Sequence, residues 1–261
     1  MIKKIFFIWF FWNPIFHFAQ QKGAISIEVN TSYRQFSMNE FNRAISIRRA
    51  NSYSEANITK TTNVENGYGH GLSLNLQLTK LIGVGLYSEY AKGSSVTEYN
   101  YIVGGENGVP IDTWYRVDNH DLHSLTLGLK TQFFINKLDF WERNSWLSKI
   151  ESVIEIGGGY GLSRADIYIT SPDKESVGVG SMKEFNRVSG IHFMANFKTG
   201  FKILNNSIFS TIGLTFGYQY LKTNRLQGGE GEYHNYFFSK ENTPKLDFSG
   251  FSTGIYLTFG K

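Results

Sequence analysis

The sequence predicts an all-β fold, an eight-stranded antiparallel up-and-down transmembrane β-barrel. Three observations predict it. Apolar residues recur at every second position in eight separate segments, the links between those segments alternate between short and long, and no segment after residue 20 is long and apolar enough to make a membrane helix. Period two signals a strand because successive side chains of an extended chain point to opposite faces. At 261 residues one such barrel accounts for the whole chain as a single domain.

The chain opens with a basic start, Met1 to Lys4, then an apolar stretch from Ile5 to Phe18, then Ala19 followed by Gln20 and Gln21. Charged start, short apolar core and small residue at the cut are the form of a secretory signal peptide. An anchor helix needs roughly 20 apolar residues, and here Asn13, Pro14 and His17 interrupt a shorter run. The expected organisation is a signal peptide over 1–19 and a barrel over 20–261.

In the first strand, Gly23 to Phe36, the residues Ile25, Ile27, Val29, Thr31 and Tyr33 alternate with Ser26, Glu28, Asn30, Ser32 and Arg34. The second carries Leu72, Leu74, Leu76 and Leu78. Thr79, Lys80 and Leu81 alone separate it from the third, with Ile82, Val84, Leu86 and Tyr90, and so short a link forces an antiparallel hairpin. Leu125, Leu127, Leu129 and Phe133 mark the fourth, and Ile150, Ile154, Ile156 and Tyr160 the fifth. The sixth alternates Ile191, Phe193, Ala195, Phe197, Phe201 and Ile203 with His192, Asn196, Lys198, Gly200 and Lys202. Ile208 to Tyr220 form the seventh, and Phe251, Thr253, Ile255, Leu257 and Phe259 outline the eighth.

Links after strands one, three, five and seven are long, roughly 37–66, 92–118, 164–187 and 223–247, and the others are short or moderate. Short turns at one end and long loops at the other characterise outer-membrane barrels, with both termini on the periplasmic side. The apolar rows then face lipid, because an eight-stranded barrel has room inside only for side chains, and eight rows of Leu, Ile, Phe and Tyr would overfill it. By parity the lumen receives the polar rows, with Glu28, Glu89, Glu151 and Glu155 beside Arg34, Lys130, Lys198 and Lys202. Four acids and four bases can pair, the condition for keeping charge in a confined site. Aromatic girdles are expected from Tyr33, Tyr90, Tyr160 and Tyr218 at the loop end and from Phe133, Phe201, Phe209, Phe259, Trp141 and Trp146 at the turn end.

Composition narrows the function. There is no cysteine, which excludes thiolate metal sites and disulfides. The 26 Lys and Arg, two of them in the leader, against 22 Asp and Glu give no case for nucleic-acid binding. No cofactor is indicated. Gly157, Gly158, Gly159 and Gly161 suggest a phosphate loop, but strand rather than helix follows them, so they are expected to relieve crowding in a narrow barrel.

On this pattern the mature chain resembles the small eight-stranded outer-membrane barrels, the OmpA transmembrane domain and OmpX kind. The signal-peptide cut before Gln20 is similar to that of exported proteins of Bacteroidetes-like bacteria. The resemblance implies a bacterial outer-membrane location and a last strand, ending at Phe259, that is presented to the barrel-insertion machinery. It also implies a check for lipid-modifying enzymes, whose lipid A deacylases carry a His-x-Ser pair on one strand face. Here His123 directly precedes Ser124, so the two face opposite sides, and His70 and Ser73 also fall on opposite faces. His70, His123 and His192 are expected at the girdle or lumen rim.

The loops remain as the seat of function. Val96–Val103 and Pro110–Val117 are expected to continue strands three and four as a projecting hairpin with exposed Tyr99, Tyr101, Trp114 and Tyr115, and the third loop to do the same over Ala165–Thr170 and Val177–Phe185. Arg43, Arg48 and Arg49 are basic residues for lipopolysaccharide phosphates. The leading expectation is a non-enzymatic barrel that serves envelope integrity or surface adhesion through its loops, with outer-membrane lipids, lipopolysaccharide and an extracellular partner at the loops as its contacts. The alternatives are a lipid A or phospholipid modifying enzyme, and a narrow pore or carrier for small hydrophobic solutes.

Overall fold

The chain reverses most tightly between Gln77 and Ile82, and the cause is local. Thr79 Oγ1 accepts the backbone N–H groups of Leu81 (3.2 Å) and Ile82 (3.0 Å), while the Gln77 side-chain amide donates to the carbonyls of Thr79 (3.0 Å) and Lys80 (3.2 Å). Side chains that satisfy the backbone groups of a turn hold it without glycine. The structure, a computed structural model, describes residues 25–51, 56–104, 110–138, 141, 146–170, 182–203, 209–226 and 243–260. The expected signal peptide lies outside the described residues, as does Ile208.

The elements are β1 (Ile25–Gln35), α1 (Asn39–Asn51), β2 (Ala56–Thr61), β3 (Asn66–Gln77), β4 (Ile82–Gly104), β5 (Pro110–Phe134), β6 (Ile150–Thr170), β7 (Met182–Lys202), β8 (Phe209–Arg225), β9 (Lys245–Asp247) and β10 (Gly250–Phe259). Short 3₁₀ turns at Ile135–Lys137 and Leu147–Lys149 flank the link between β5 and β6. Eight strands pair in the order β10-β1-β3-β4-β5-β6-β7-β8, and β8 pairs with β10 to close the ring; every pairing is antiparallel. The predicted eight-stranded up-and-down barrel is the observed one. Closure leaves no unpaired edge in the ring.

Register puts the two faces where alternation predicts. Leu86, Leu127, Leu129, Ile156 and Phe193 are each more than half exposed on the outside, whereas Ser73, Thr126, Lys130, Gln132, Glu155 and Lys198 are buried inside. Outward positions between the turns and the upper tyrosines carry no Lys or Arg among the described residues. Leaving a large apolar side chain in water forgoes roughly 1.5–3 kcal/mol, and here such side chains ring the whole circumference. A bilayer removes that cost, so the band is the lipid-facing surface.

Three of the long links contain ordered structure among the described residues. Over 37–66 the chain makes α1 and β2, the latter paired with β4 from Ala56↔Tyr101 to Thr61↔Thr97. In the second and third links the ladder continues, with β4 and β5 paired to Gly104↔Pro110 and β6 and β7 to Ile169↔Met182, as the hairpin reading anticipated; its part over 177–181 lies outside the described residues. Residues 93–104 alone are roughly 40 Å of extended chain. These extensions form a lobe beyond the band, and α1 packs against its inner face.

The lobe has its own apolar core. Phe36, Met38, Phe41 and Ile45 from the first link meet Leu122, Ile167, Leu221, Leu246 and Phe248, all buried. Phe41, Ala44 and Ile45 recur at helical spacing and form the buried side of α1. The Asn42 amide donates to Val64 O (3.1 Å) and its carbonyl accepts Val64 N–H (3.0 Å), which ties the helix to the chain after β2. The core lies across the loop end of the lumen.

Candidate functional site

Inward parity brings four of the eight predicted charges into one closed circuit. Glu28 on β1 lies 3.6 Å from Lys130 on β5, and Lys130 lies 2.7 Å from Glu155 on β6. The other carboxylate oxygen of Glu155 lies 2.7 Å from Lys198 on β7, and Lys198 pairs back to Glu28 across the barrel. All four side chains are buried. The Gln132 amide donates to Glu155 (2.8 Å), and the Lys198 ammonium stands 5.4 Å over the Tyr256 ring. Alternating sign lets each charge meet two of the opposite kind, which offsets the desolvation of a buried ion.

A second tier lies toward the loop end. Arg34 pairs with Glu89 at 3.2 Å, donates from Nη1 to Gln219 (2.5 Å) and from Nε to Ser32 (3.0 Å). A Cβ on Gly69 would stand 2.0 Å from Arg34 Nε, so glycine there makes room for the guanidinium. The Gln219 amide donates in turn to Phe248 O (3.0 Å) and so joins this tier to the apolar core above it. His192 Nδ1 lies 2.7 Å from the Tyr87 hydroxyl, fully buried in the lumen rather than at its rim; His70 and His123 do face outward near the loop-end girdle.

The remaining two predicted charges lie nearer the turn end, within electrostatic reach of each other. Glu151 accepts from Thr211 Oγ1 (2.9 Å) near the turn end. Lys202 has lumen parity but is exposed at the rim, because β7 ends there. It is not part of the buried circuit.

Several loop expectations are corrected. Tyr99 is buried, with Arg116 stacked 5.6 Å from its ring, because it sits on the inner face of the lobe. Arg49 donates to Thr97 Oγ1 (2.9 Å) and Thr62 O (3.3 Å), so it fastens α1 to the sheet and does not await a phosphate; burial draws its pKa below the ordinary guanidinium range, opposed by Tyr99 and Asp118. The side chains of Arg48, Tyr101 and Trp114 lie outside the described residues. Sequence reading missed Ser95 and His120, which face each other across β4 and β5 at 3.3 Å, with Asp118 two residues from His120. All three are buried, and the His120 ring stacks edge-on against Phe41 of the apolar core.

A closed antiparallel ring with a continuous apolar exterior and an ion-paired interior is a bacterial outer-membrane β-barrel, and that is the membrane in which this chain resides. No family model and no curated protein matches the sequence. Among solved structures the chain is similar to the outer membrane protease OmpT from Escherichia coli (10% identity, 92% of this chain and 98% of that one, TM-score 0.45) and to the outer membrane protein OprG from Pseudomonas aeruginosa (14%, 93% and 99%, TM-score 0.41). It is also similar to Ail, the attachment invasion locus protein of Yersinia pestis (12%, 92% and 100%, TM-score 0.38). The assignment of fold rests on the strand ladder of the chain itself.

Proposed function

We propose that the protein is a non-enzymatic surface barrel of the OmpA and OmpX kind, whose membrane ring holds the folded lobe outside the cell, where it serves envelope integrity or adhesion. One observation carries the reading: β4 to β7 run on beyond the lipid band as one sheet, backed by α1 and an apolar core of its own. Chain that is ordered beyond the membrane presents a fixed surface to partners. The charge circuit and the apolar core lie in series along the lumen, which argues against a carrier or pore.

The test uses a strain that lacks the protein and strains complemented with the full chain or with a version in which residues 96–117 are replaced by a short Gly-Ser turn. Cell adherence to matrix-coated surfaces and leakage of a periplasmic marker are measured, with heat-modifiable gel mobility as the check on barrel folding. The shortened chain is expected to fold and to behave like the deletion strain in at least one assay. Full function without the hairpin overturns the reading, and an altered lipid A acyl pattern in the deletion strain favours the enzyme instead.

A further inference from the structure

One row of residues in register crosses six strands on the outer face. Tyr33 pairs with Tyr68, Tyr68 with Lys92, Lys92 with His123, His123 with Arg164 and Arg164 with Arg187. Two aromatics are thus followed by four consecutive bases, all with outward parity. Like charges directly opposite each other on neighbouring strands repel. Arg164 and Arg187 form such a pair, and Arg187 is exposed with no acidic partner among the described residues.

The row has a definite height. Lys92, His123 and Arg164 each stand two residues beyond the last exposed member of the lipid band on their strands, which is Tyr90, Leu125 and Leu162. Arg187 stands four residues beyond Ile191. Lipid phosphates lie at this level, just outside the hydrocarbon. The available acids are on the far side: Asp121, 3.0 Å from Lys92, and Asp166, paired with Arg164 and 3.7 Å from His123, are each two residues further from the membrane. On the membrane side the next outward residues among those described are uncharged: Tyr90, whose hydroxyl lies 2.6 Å from His123 Nδ1, Leu125, Leu162 and Ser189.

We propose that Lys92, His123, Arg164 and Arg187 bind the phosphate-bearing headgroup of an outer-leaflet lipid. The two guanidinium forks suit the planar, bidentate recognition of phosphate oxygens, and the ammonium adds a point charge. An anion arriving from the bilayer supplies the negative charge that the membrane side of the row lacks. Its acyl chains would lie along the apolar rows below, so the same molecule satisfies both surfaces.

The test titrates the purified barrel, refolded in dodecyl maltoside, with dioleoyl phosphatidate or dioleoyl phosphatidylcholine and counts bound lipid by native mass spectrometry. Phosphatidate is expected to bind in preference. At roughly fivefold per base near a membrane surface, Arg187→Gln should weaken phosphatidate binding about fivefold and Arg164→Gln with Arg187→Gln about 25-fold, with phosphatidylcholine unchanged. Arg43→Gln with Lys60→Gln, which removes equal charge from exposed positions on α1 and β2, should leave phosphatidate binding as it was. Since Arg164 also holds Asp166, the single Arg187→Gln variant decides the matter if the double variant does not fold. Wild-type binding in Arg187→Gln, equal loss in the Arg43→Gln, Lys60→Gln variant, or displacement of phosphatidate by an equal concentration of inorganic phosphate each overturns the proposal.

Discussion

Lys198 holds two carboxylates at once, Glu28 and Glu155, all three buried inside the barrel. Its replacement by alanine leaves both acids short of a partner, and breaking a buried pair costs about 3–5 kcal/mol. Lys198→Ala is therefore expected to lower the temperature at which the barrel loses its folded gel mobility, while Lys149→Ala, exposed at the turn end, changes stability by no more than about 0.5 kcal/mol. Equal effects at both positions would show that the circuit contributes nothing. Alternation along each strand was enough to put these residues on the inner face. It was not enough to pair them, because Glu28 and Lys198 are 170 residues apart and meet only through ring closure. Gly159 shows the same division: its small size is legible, but the reason, a would-be Cβ 2.1 Å from the Leu127 carbonyl oxygen, belongs to the strand beside it.

At the scale of the element, α1 is the part that sequence pattern conceals. Only Phe41, Ala44 and Ile45 mark a helical stripe, Ile47 on the other side is exposed, and the helix finds its partners in distant chain, His120 of β5 against Phe41 and β9 alongside. Phe41→Ala removes a large buried ring and is expected to destabilise the lobe by about 3–5 kcal/mol. The measurement is limited proteolysis, which should cut the first link of the variant sooner while the heat-modifiable mobility of the ring is retained. Loss of both together would mean that lobe and ring fold as one unit. A different signal was visible in β6. Ile154, Ile156, Tyr160 and Leu162 share one parity, then Ala165, Ile167 and Ile169 take the other, with continuous register throughout. The apolar side switches from outside to inside because the strand leaves lipid, where apolar faces outward, and enters water, where it must face a core. Leu122 on β5 and Leu221 on β8 mark the same crossing.

For the molecule as a whole, the lumen is obstructed twice, by the ion-pair circuit and by the apolar core beyond it. Planar-bilayer recordings of the refolded protein are expected to show no steady conductance of porin size, since eight strands leave an interior that side chains can fill. Such conductance from the unmutated protein would refute this reading of the lumen. The strands of the ring also differ greatly in length. β4 to β7 have 21 to 25 residues, whereas β1, β3 and β10 have 10 to 12. Among the described residues, the rim is therefore tall along one arc and low along the other, and the proposed lipid site lies at the foot of the tall arc. In a crowded membrane the molecule has a front and a back: along the tall arc the standing sheet acts as a bulkhead that keeps large surface structures at a distance.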